Sequence, residues 1–407
     1  MNDLSHYLIP RGFKFAATKA GVKTSGKPDF AVIVADAPAC AAAEFTSNRV
    51  QAAPLIVDKE NLHATGGRVR VVAVNAGNAN CAAGEAGLRA ARATCAGAAK
   101  VFGCSEREVF PSSTGIIGVP LPAEKLTNAM PELKELLSDD ARSFDEAAHA
   151  ILTTDTVKKT AFARIEVASG GAAQEIRVAA FGKGSGMIHP QLAAHATMLI
   201  YVMTDAAIEP DALRGFLRSA VEVSFNRISV DGDTSTNDTV LLLASGASGV
   251  KIDAGDAAFA EALTEVCTSM ARQVVGDGEG LSHVVELRIE GAASDADALR
   301  VAKAIAHSPL VKTAWAGCDP NWGRLAAAIG YSGAQIDPAH FDIRFGDLPI
   351  CRDGGRAAEF DEAAAHTYIS QREFSISIDL HQGAGKCAFW TTDLTQEYIH
   401  INADYST

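Results

Sequence analysis

Six short polar segments carry most of the side chains in this sequence that could do chemistry. They are Asn75–Ala82 (NAGNANCA), Ser112–Gly118 (SSTGIIG), Thr153–Thr156 (TTDT), Gly182–Gly186 (GKGSG), Asp231–Thr239 (DGDTSTNDT) and Gly276–Gly280 (GDGEG). Polar clusters that follow strands are where binding and catalytic groups tend to gather. GKGSG invites a phosphate-loop reading, because glycines expose backbone N–H groups. That loop requires GxxxxGK followed directly by Ser or Thr, and here Lys183 precedes Gly184 with no such frame; GxGxxG is also missing. A plain connection between two strands is the competing reading. DGDTSTND resembles a calcium loop only loosely, since the full pattern and its terminal Glu are absent. No segment has the His or Cys spacing of a metal site. His189 and His195 flank the same region, and local structural use is the reading for both.

Composition bounds what these residues can serve. The chain has 407 residues, 48% of them hydrophobic and 21% charged, which suits two or three globular domains. The net charge is −13 and no basic block occurs, which argues against nucleic acid and anionic membrane as partners. The N-terminal stretch MNDLSHYLIPRGFKF lacks the pattern of a signal peptide, and no apolar run approaches a membrane span. The eight cysteines are scattered without a CxxC pair, as expected for buried free thiols in a reducing cytosol.

The elements that must position these segments are partly visible. FAVIVA (Phe30–Ala35), VRVVAV (Val69–Val74), MLIYVM (Met198–Met203) and Val240–Leu243 read as buried strands. Ala161–Val167 and Ala173–Ala180 read as a strand pair joined at Ser169–Gly171. Ala82–Phe102, rich in small residues, reads as a helix packed close to a sheet. Leu121–Leu137, opened by Pro122, and Asp145–Leu152 are further helices. Pro210 opens another, with Leu213, Phe216, Leu217, Ala220 and Val221 as its apolar stripe. From about residue 284 the texture changes. VVELRIEG alternates as a strand, Ser294 caps a helix reaching Ala306, and FDIRFG and FSISIDL follow. DPNWGR, with Trp322 and Arg324, reads as structural packing.

Taken in order, FTSNRVQAAP (Phe45–Pro54), VNAGNANCA, SSTGIIG, TTDT, KGSGMIHP (Lys183–Pro190), ATML (Ala196–Leu199), FNRISVDGDTSTNDT, GDGEG, SPLVKTAWAGCDPNWGR (Ser308–Arg324) and TTDLTQEYIHINADYST (Thr391–Thr407) span nearly the whole chain. This series resembles the ornithine acetyltransferase family, also described as the glutamate N-acetyltransferase family of arginine biosynthesis. The resemblance implies autocatalytic cleavage between Ala196 and Thr197, with Thr197 the nucleophile of the new β fragment. It implies an oxyanion hole at Thr114 and Gly115, and substrate contacts from Thr153, Lys183, Thr197, Glu279, Asn402 and Thr407. Asp231, Asp233 and Asn237 match the family pattern without an assigned chemistry.

The chemistry is coherent. A threonine hydroxyl needs an adjacent base, and its own α-amine serves once the preceding bond is cut. Such an amine titrates at about 7.7–8.0, and a charged Lys183 nearby favours its neutral form. Lys183 could instead meet a substrate carboxylate. Glu279 suits a cationic ornithine group. The implied reaction moves acetyl from N2-acetyl-L-ornithine to L-glutamate through an acetyl-threonine. No metal or organic cofactor is implied. Some members of the family also accept acetyl-CoA as donor, which makes them multifunctional. The implied assembly is a cytoplasmic α2β2 heterotetramer.

The implied fold is an α+β, layered α/β architecture: an αββα sandwich with an additional α+β C-terminal domain. We expect a main domain at 1–286, cut within it at 196/197, and a C-terminal domain at 287–407 whose tail returns to the active site. One departure stands out. The family pattern has three residues between the proline and the nucleophilic threonine, whereas here Pro190 is followed by six, QLAAHA. ATML still marks Thr197, and Thr204, at the far end of its strand, is the weaker alternative. Two rival functions use the same features. A related self-processing hydrolase or aminopeptidase would put water in place of glutamate. An uncut chain would be a nonenzymatic assembly protein built on this fold.

Overall fold

A computed structural model describes residues 4–169, 172–190, 192 and 198–404. Its organising element is one long strand, Phe30–Phe45, which belongs to both halves of an eight-stranded sheet. The N-terminal part of this strand pairs with Phe13–Thr18 and Arg68–Asn78, and the latter with Val109–Ile116. Its C-terminal part pairs with Thr239–Ala244, followed by Leu199–Thr204, Ala172–Lys183 and Lys159–Ser169. Between the two parts the register shifts from Val34 to Ala39, at an exposed Asp36–Pro38 stretch. Proline cannot donate to a ladder, so it falls where pairing is interrupted.

Side-chain alternation turns this bent sheet into layers. Ala31, Ile33, Ala39 and Ala41 face an inner core shared with Phe15, Val72, Phe110, Phe181, Tyr201 and Leu241. Phe30, Val32 and Val34 face outward, against Val57, Cys95, Leu126 and Met130. Those four lie on the helices Ala53–Thr65, Gly84–Phe102 and Ala123–Glu135. Cys40 and Ala42 face outward on the other half, where Leu217, Phe259, Leu263 and Met270 pack. The result is helix, sheet, sheet, helix, the layering expected. Phe144 closes the inner core, with its ring 5.1 Å from both Phe15 and Phe181.

Local signals explain the helix ends. The Pro210–Val223 helix buries the five residues of its expected stripe, worth roughly 1.5–3 kcal/mol for each large side chain. Asp256 caps Ala257–Gly276 through the Phe259 N–H, at 2.9 Å. Two expected boundaries move. Pro122 is the N-cap rather than the first helical residue, and the 145–152 helix begins at Ala141 because Asp140 caps it through the Ser143 N–H. SSTGIIG is not a free turn: Ser112–Ile116 form the end of a strand.

A second, seven-stranded sheet runs Gly355–Arg356, Leu348–Arg352, Asp342–Phe345, Glu373–Asp379, Val284–Ala292, Gly385–Thr392 and Ile228–Ser229. One face packs on the helices Asp295–Ala306, Pro309–Ala316 and Trp322–Gly330. Ser294 is the N-cap, as its position suggests. Trp322 packs on this core, and Arg324 Nη1 donates to the Leu310 carbonyl at 2.7 Å. The Ile228–Ser229 edge comes from the segment leading into DGDTSTNDT, so the second sheet is hydrogen-bonded to a loop of the first. All eight cysteines are free. Among the described residues, no helix is long and apolar enough to cross a membrane.

Candidate active site

Strand order brings the polar segments to one place. Ala172–Lys183 runs antiparallel to Leu199–Thr204, with Lys183 opposite Leu199. Thr239–Ala244 runs parallel to Leu199–Thr204, and the Thr239 N–H donates to the Met198 carbonyl at 2.8 Å. The lysine and the DGDTSTNDT segment therefore flank the start of the strand that Thr197 leads into. From the other half-sheet, Val109–Ile116 delivers Thr114 and Gly115. Asn237 stitches the halves together: its Nδ2 donates to the Ala79 carbonyl at 2.6 Å and the Ser113 carbonyl at 2.7 Å. Asn75 Oδ1 accepts from Ser113 Oγ at 2.7 Å, so NAGNANCA is scaffold for the strand carrying Thr114.

Between these loops lies a cavity of 240 Å³. Thr114, Gly115, Thr153, Lys183, Glu279 and Asn402 all line it. Those are the described members of the expected site, and the fold collects them from five separate elements. Ala196, Thr197 and Thr407 lie outside the described residues, as does His195. Asp231, Asp233, Asn237 and Tyr398 also border the cavity. Thr204, the weaker nucleophile candidate, is wholly buried at the far end of its strand.

Lys183 is buried, and its Nζ donates to Thr114 Oγ1 at 3.3 Å. It lies 3.9 Å from Asp155 Oδ2. Burial alone would raise the Asp155 carboxyl; Lys183 and Lys159, with the Gly184 N–H, bring it below its ordinary range. Gly115 has φ +130, and a Cβ there would lie 2.4 Å from the Gly77 carbonyl carbon. Only glycine allows the two strands to approach this closely. Gly186 serves Glu279 in the same way, since a Cβ there would lie 2.3 Å from the Glu279 carboxyl carbon.

Glu279 is held at the rim by Asn402, whose Nδ2 donates to Glu279 Oε2 at 3.0 Å. Asn402 lies on the Gln396–Asp404 helix, which is tied down where Thr395 Oγ1 donates to the Gly280 carbonyl. Asp231 ties the loop after Lys183, accepting from the Met187 N–H at 2.7 Å and the Ile188 N–H at 2.9 Å. Those bonds hold Met187 at φ 56, a conformation non-glycine residues rarely adopt. Burial pushes the Asp231 carboxyl up to about 6, against the pull of the Asp233 and Met187 N–H groups. His189 is buried with its ring 4.3 Å from that of His307, away from the cavity lining.

Sequence reasoning missed Asp155, Lys159, Asp277 and Tyr398. The first three lie in or beside TTDT and GDGEG, and a charged residue next to glycines and threonines was their only signal. With three acids and one buried lysine around a small cavity, the arrangement suits a zwitterionic substrate carrying a cationic arm. A hydroxyl and a glycine N–H on one strand end offer donors to a developing oxyanion.

Residues 14–407 match the model of the ArgJ family. The arginine biosynthesis bifunctional protein ArgJ of Geobacter sulfurreducens is 44% identical over 402 residues, covering 98% of this chain and 99% of that protein. The protein of the same name from Thermus thermophilus is 44% identical over 399 residues, with 98% and 99% covered. The crystal structure of the arginine biosynthesis bifunctional protein from Bacillus halodurans, at 41% identity and a TM-score of 0.50, is matched over all of its chain by 51% of this one. With a family model spanning nearly its whole length and relatives matched end to end, the chain belongs to the ArgJ family.

Proposed function

We propose that this protein is an acyltransferase of arginine biosynthesis that moves the acetyl group of N2-acetyl-L-ornithine to L-glutamate. The observation that carries this reading is the single cavity shared by Thr114, Gly115, Thr153, Lys183, Glu279 and Asn402 at the head of the Leu199–Thr204 strand. The chain first cuts itself between Ala196 and Thr197, giving α and β fragments that stay together. The freed α-amine of Thr197 takes the proton from its own hydroxyl as Oγ attacks the acetyl carbon. Thr114 Oγ1 and the Gly115 N–H stabilise the oxyanion. The C–N bond breaks, the ammonium returns its proton to the leaving nitrogen of ornithine, and acetyl-threonine remains. The glutamate amine then attacks, and N-acetyl-L-glutamate leaves with Thr197 restored.

Lys183 keeps the amine neutral by its charge, Glu279 receives the ornithine side-chain ammonium, and Thr153, Asn402 and Thr407 complete the substrate contacts. Main (1–286) and C-terminal (287–407) domains, an α2β2 heterotetramer and a cytoplasmic location complete the proposal.

Intact-mass measurement tests it. Wild-type protein should give two fragments meeting at Ala196–Thr197, and Thr197→Ala should give one. Incubation with acetylornithine should add one acetyl group to the β fragment, and glutamate should remove it. Removal by water at the same rate would make the protein a hydrolase, and a single uncut wild-type chain would overturn the processing step. Acetyl-CoA offered in place of acetylornithine tests the second donor.

A further inference from the structure

Three loops of the site meet on one buried carboxylate that no family role accounts for. The Asp155 side chain is fully buried. Its Oδ1 accepts from Lys159 Nζ at 2.7 Å and from the Gly184 N–H at 2.7 Å. Its Oδ2 accepts from the Thr153 N–H at 3.1 Å and faces Lys183 Nζ at 3.9 Å. Lys159, also fully buried, reaches on to Asp277 Oδ2 at 2.6 Å. Asp277 in turn accepts from the Thr156 N–H at 3.0 Å, and its carbonyl accepts from Ser185 Oγ at 2.6 Å. Charges therefore alternate Asp277, Lys159, Asp155, Lys183, threading GDGEG, TTDT and GKGSG together. Burying four charges is costly unless each is paired, and breaking one pair leaves its partner uncompensated. Asp277 joins the loops without touching Lys183, whereas Asp155 is the one of these linked charges that faces it.

We infer that Asp155 is a positioning residue for acetyl transfer: it is the counter-ion that aims Lys183 at Thr114, while fixing the backbone of Thr153, which lines the same cavity. The inference rests on the reading of Thr197 as an amine-activated nucleophile. Lys183 is faced by Thr114, Asp155, Lys23 and Asp238; Asp155 is faced by Lys159, Lys183 and Lys23. Removing the negative charge at 155 favours the neutral form of every amine nearby.

The test is the pH profile of kcat for Asp155→Asn, measured on cleaved protein with acetylornithine and glutamate. Both limbs should move to lower pH by at least half a unit, with kcat at pH 8 down about tenfold or more and KM changed less. Asp277→Asn, which loosens the same loops, should lose comparable thermal stability without moving the profile. An unshifted profile in folded Asp155→Asn overturns the role. If that variant does not fold, pairing it with Lys159→Met removes the buried cation as well; Lys159 bonds the other carboxylate oxygen, so the downward shift is still expected and its absence is still decisive. The mass of the acetylated wild-type β fragment, read in the same assays, reports separately on Thr197.

Discussion

At the scale of single residues, the proposed reaction separates groups that touch reacting atoms from groups that hold them. Thr114 offers a hydroxyl 3.3 Å from Lys183 Nζ, and Gly115 packs so close to Gly77 that no Cβ would fit. Thr114→Val keeps the shape and removes the hydroxyl. We expect kcat for acetyl transfer to fall 10²–10³-fold, about 3–4 kcal/mol, with KM nearly unchanged, measured by steady-state kinetics. Thr114, Gly115, Lys183 and Glu279 were legible in the sequence because a hydroxyl, a glycine, a lysine and an acid stand in recognisable motifs. Asp155 stood in one of them too, but its partners are 2 to 29 residues away, and only the fold states which of them it meets.

At the scale of elements, Leu192 of the QLAAHA segment is held at a fixed point. Leu192 is buried in the outer core of the second half-sheet. Its N–H donates to Asn226 Oδ1, and Asn226 Nδ2 donates back to the Leu192 carbonyl at 2.7 Å. Anchors therefore stand at Ile188, whose carbonyl accepts from the Val230 N–H at 2.7 Å, at Leu192, and at Met198. Beyond Met198, the Leu199–Thr204 strand keeps its pairing with Ala172–Lys183 and Thr239–Ala244. Asn226→Ala removes both hydrogen bonds to Leu192 and a third to Glu222 Oε2, worth about 1 kcal/mol each. We expect self-cleavage to slow roughly ten- to thirtyfold by time-resolved intact mass, while protein already cut transfers acetyl at a rate within a few-fold of wild type. Sequence pattern located the Leu199–Thr204 and Thr239–Ala244 strands to within a residue. It did not reveal that Phe30–Phe45 is one strand, because Asp36 and Pro38 read as its end.

At the scale of the whole molecule, the second sheet is tied to the site through Ser229 and the loop after it. His307 Nε2 lies 3.1 Å from Ser229 Oγ, and its ring packs edge-on to His189. Burial, reinforced by Lys312 and Lys303, pulls His307 down to about 4. A depressed histidine contributes stability that is full above pH 6.5 and is lost as pH falls through about 4. The shift corresponds to about 3 kcal/mol at most, given the partial exposure of the ring. We expect the Tm of wild type to fall between pH 6.5 and 4, and that fall to be shallower in His307→Gln, measured by calorimetry. An equal slope in both would place the acid sensitivity elsewhere.

By itself the sequence determined the residue types of the site, the family they resemble, the mixed α/β content and most buried strands. Each of these is written in short-range form, as a motif, an alternation or a cap. Only the tertiary structure decided that Thr114 and Lys183, 69 residues apart, share a hydrogen bond. It also decided that Asn402 closes on Glu279 from a helix near the chain's end. The same holds for the buried chain of charges behind Lys183. Strand order and the bend of one long strand set those meetings, and neither is encoded at any single position.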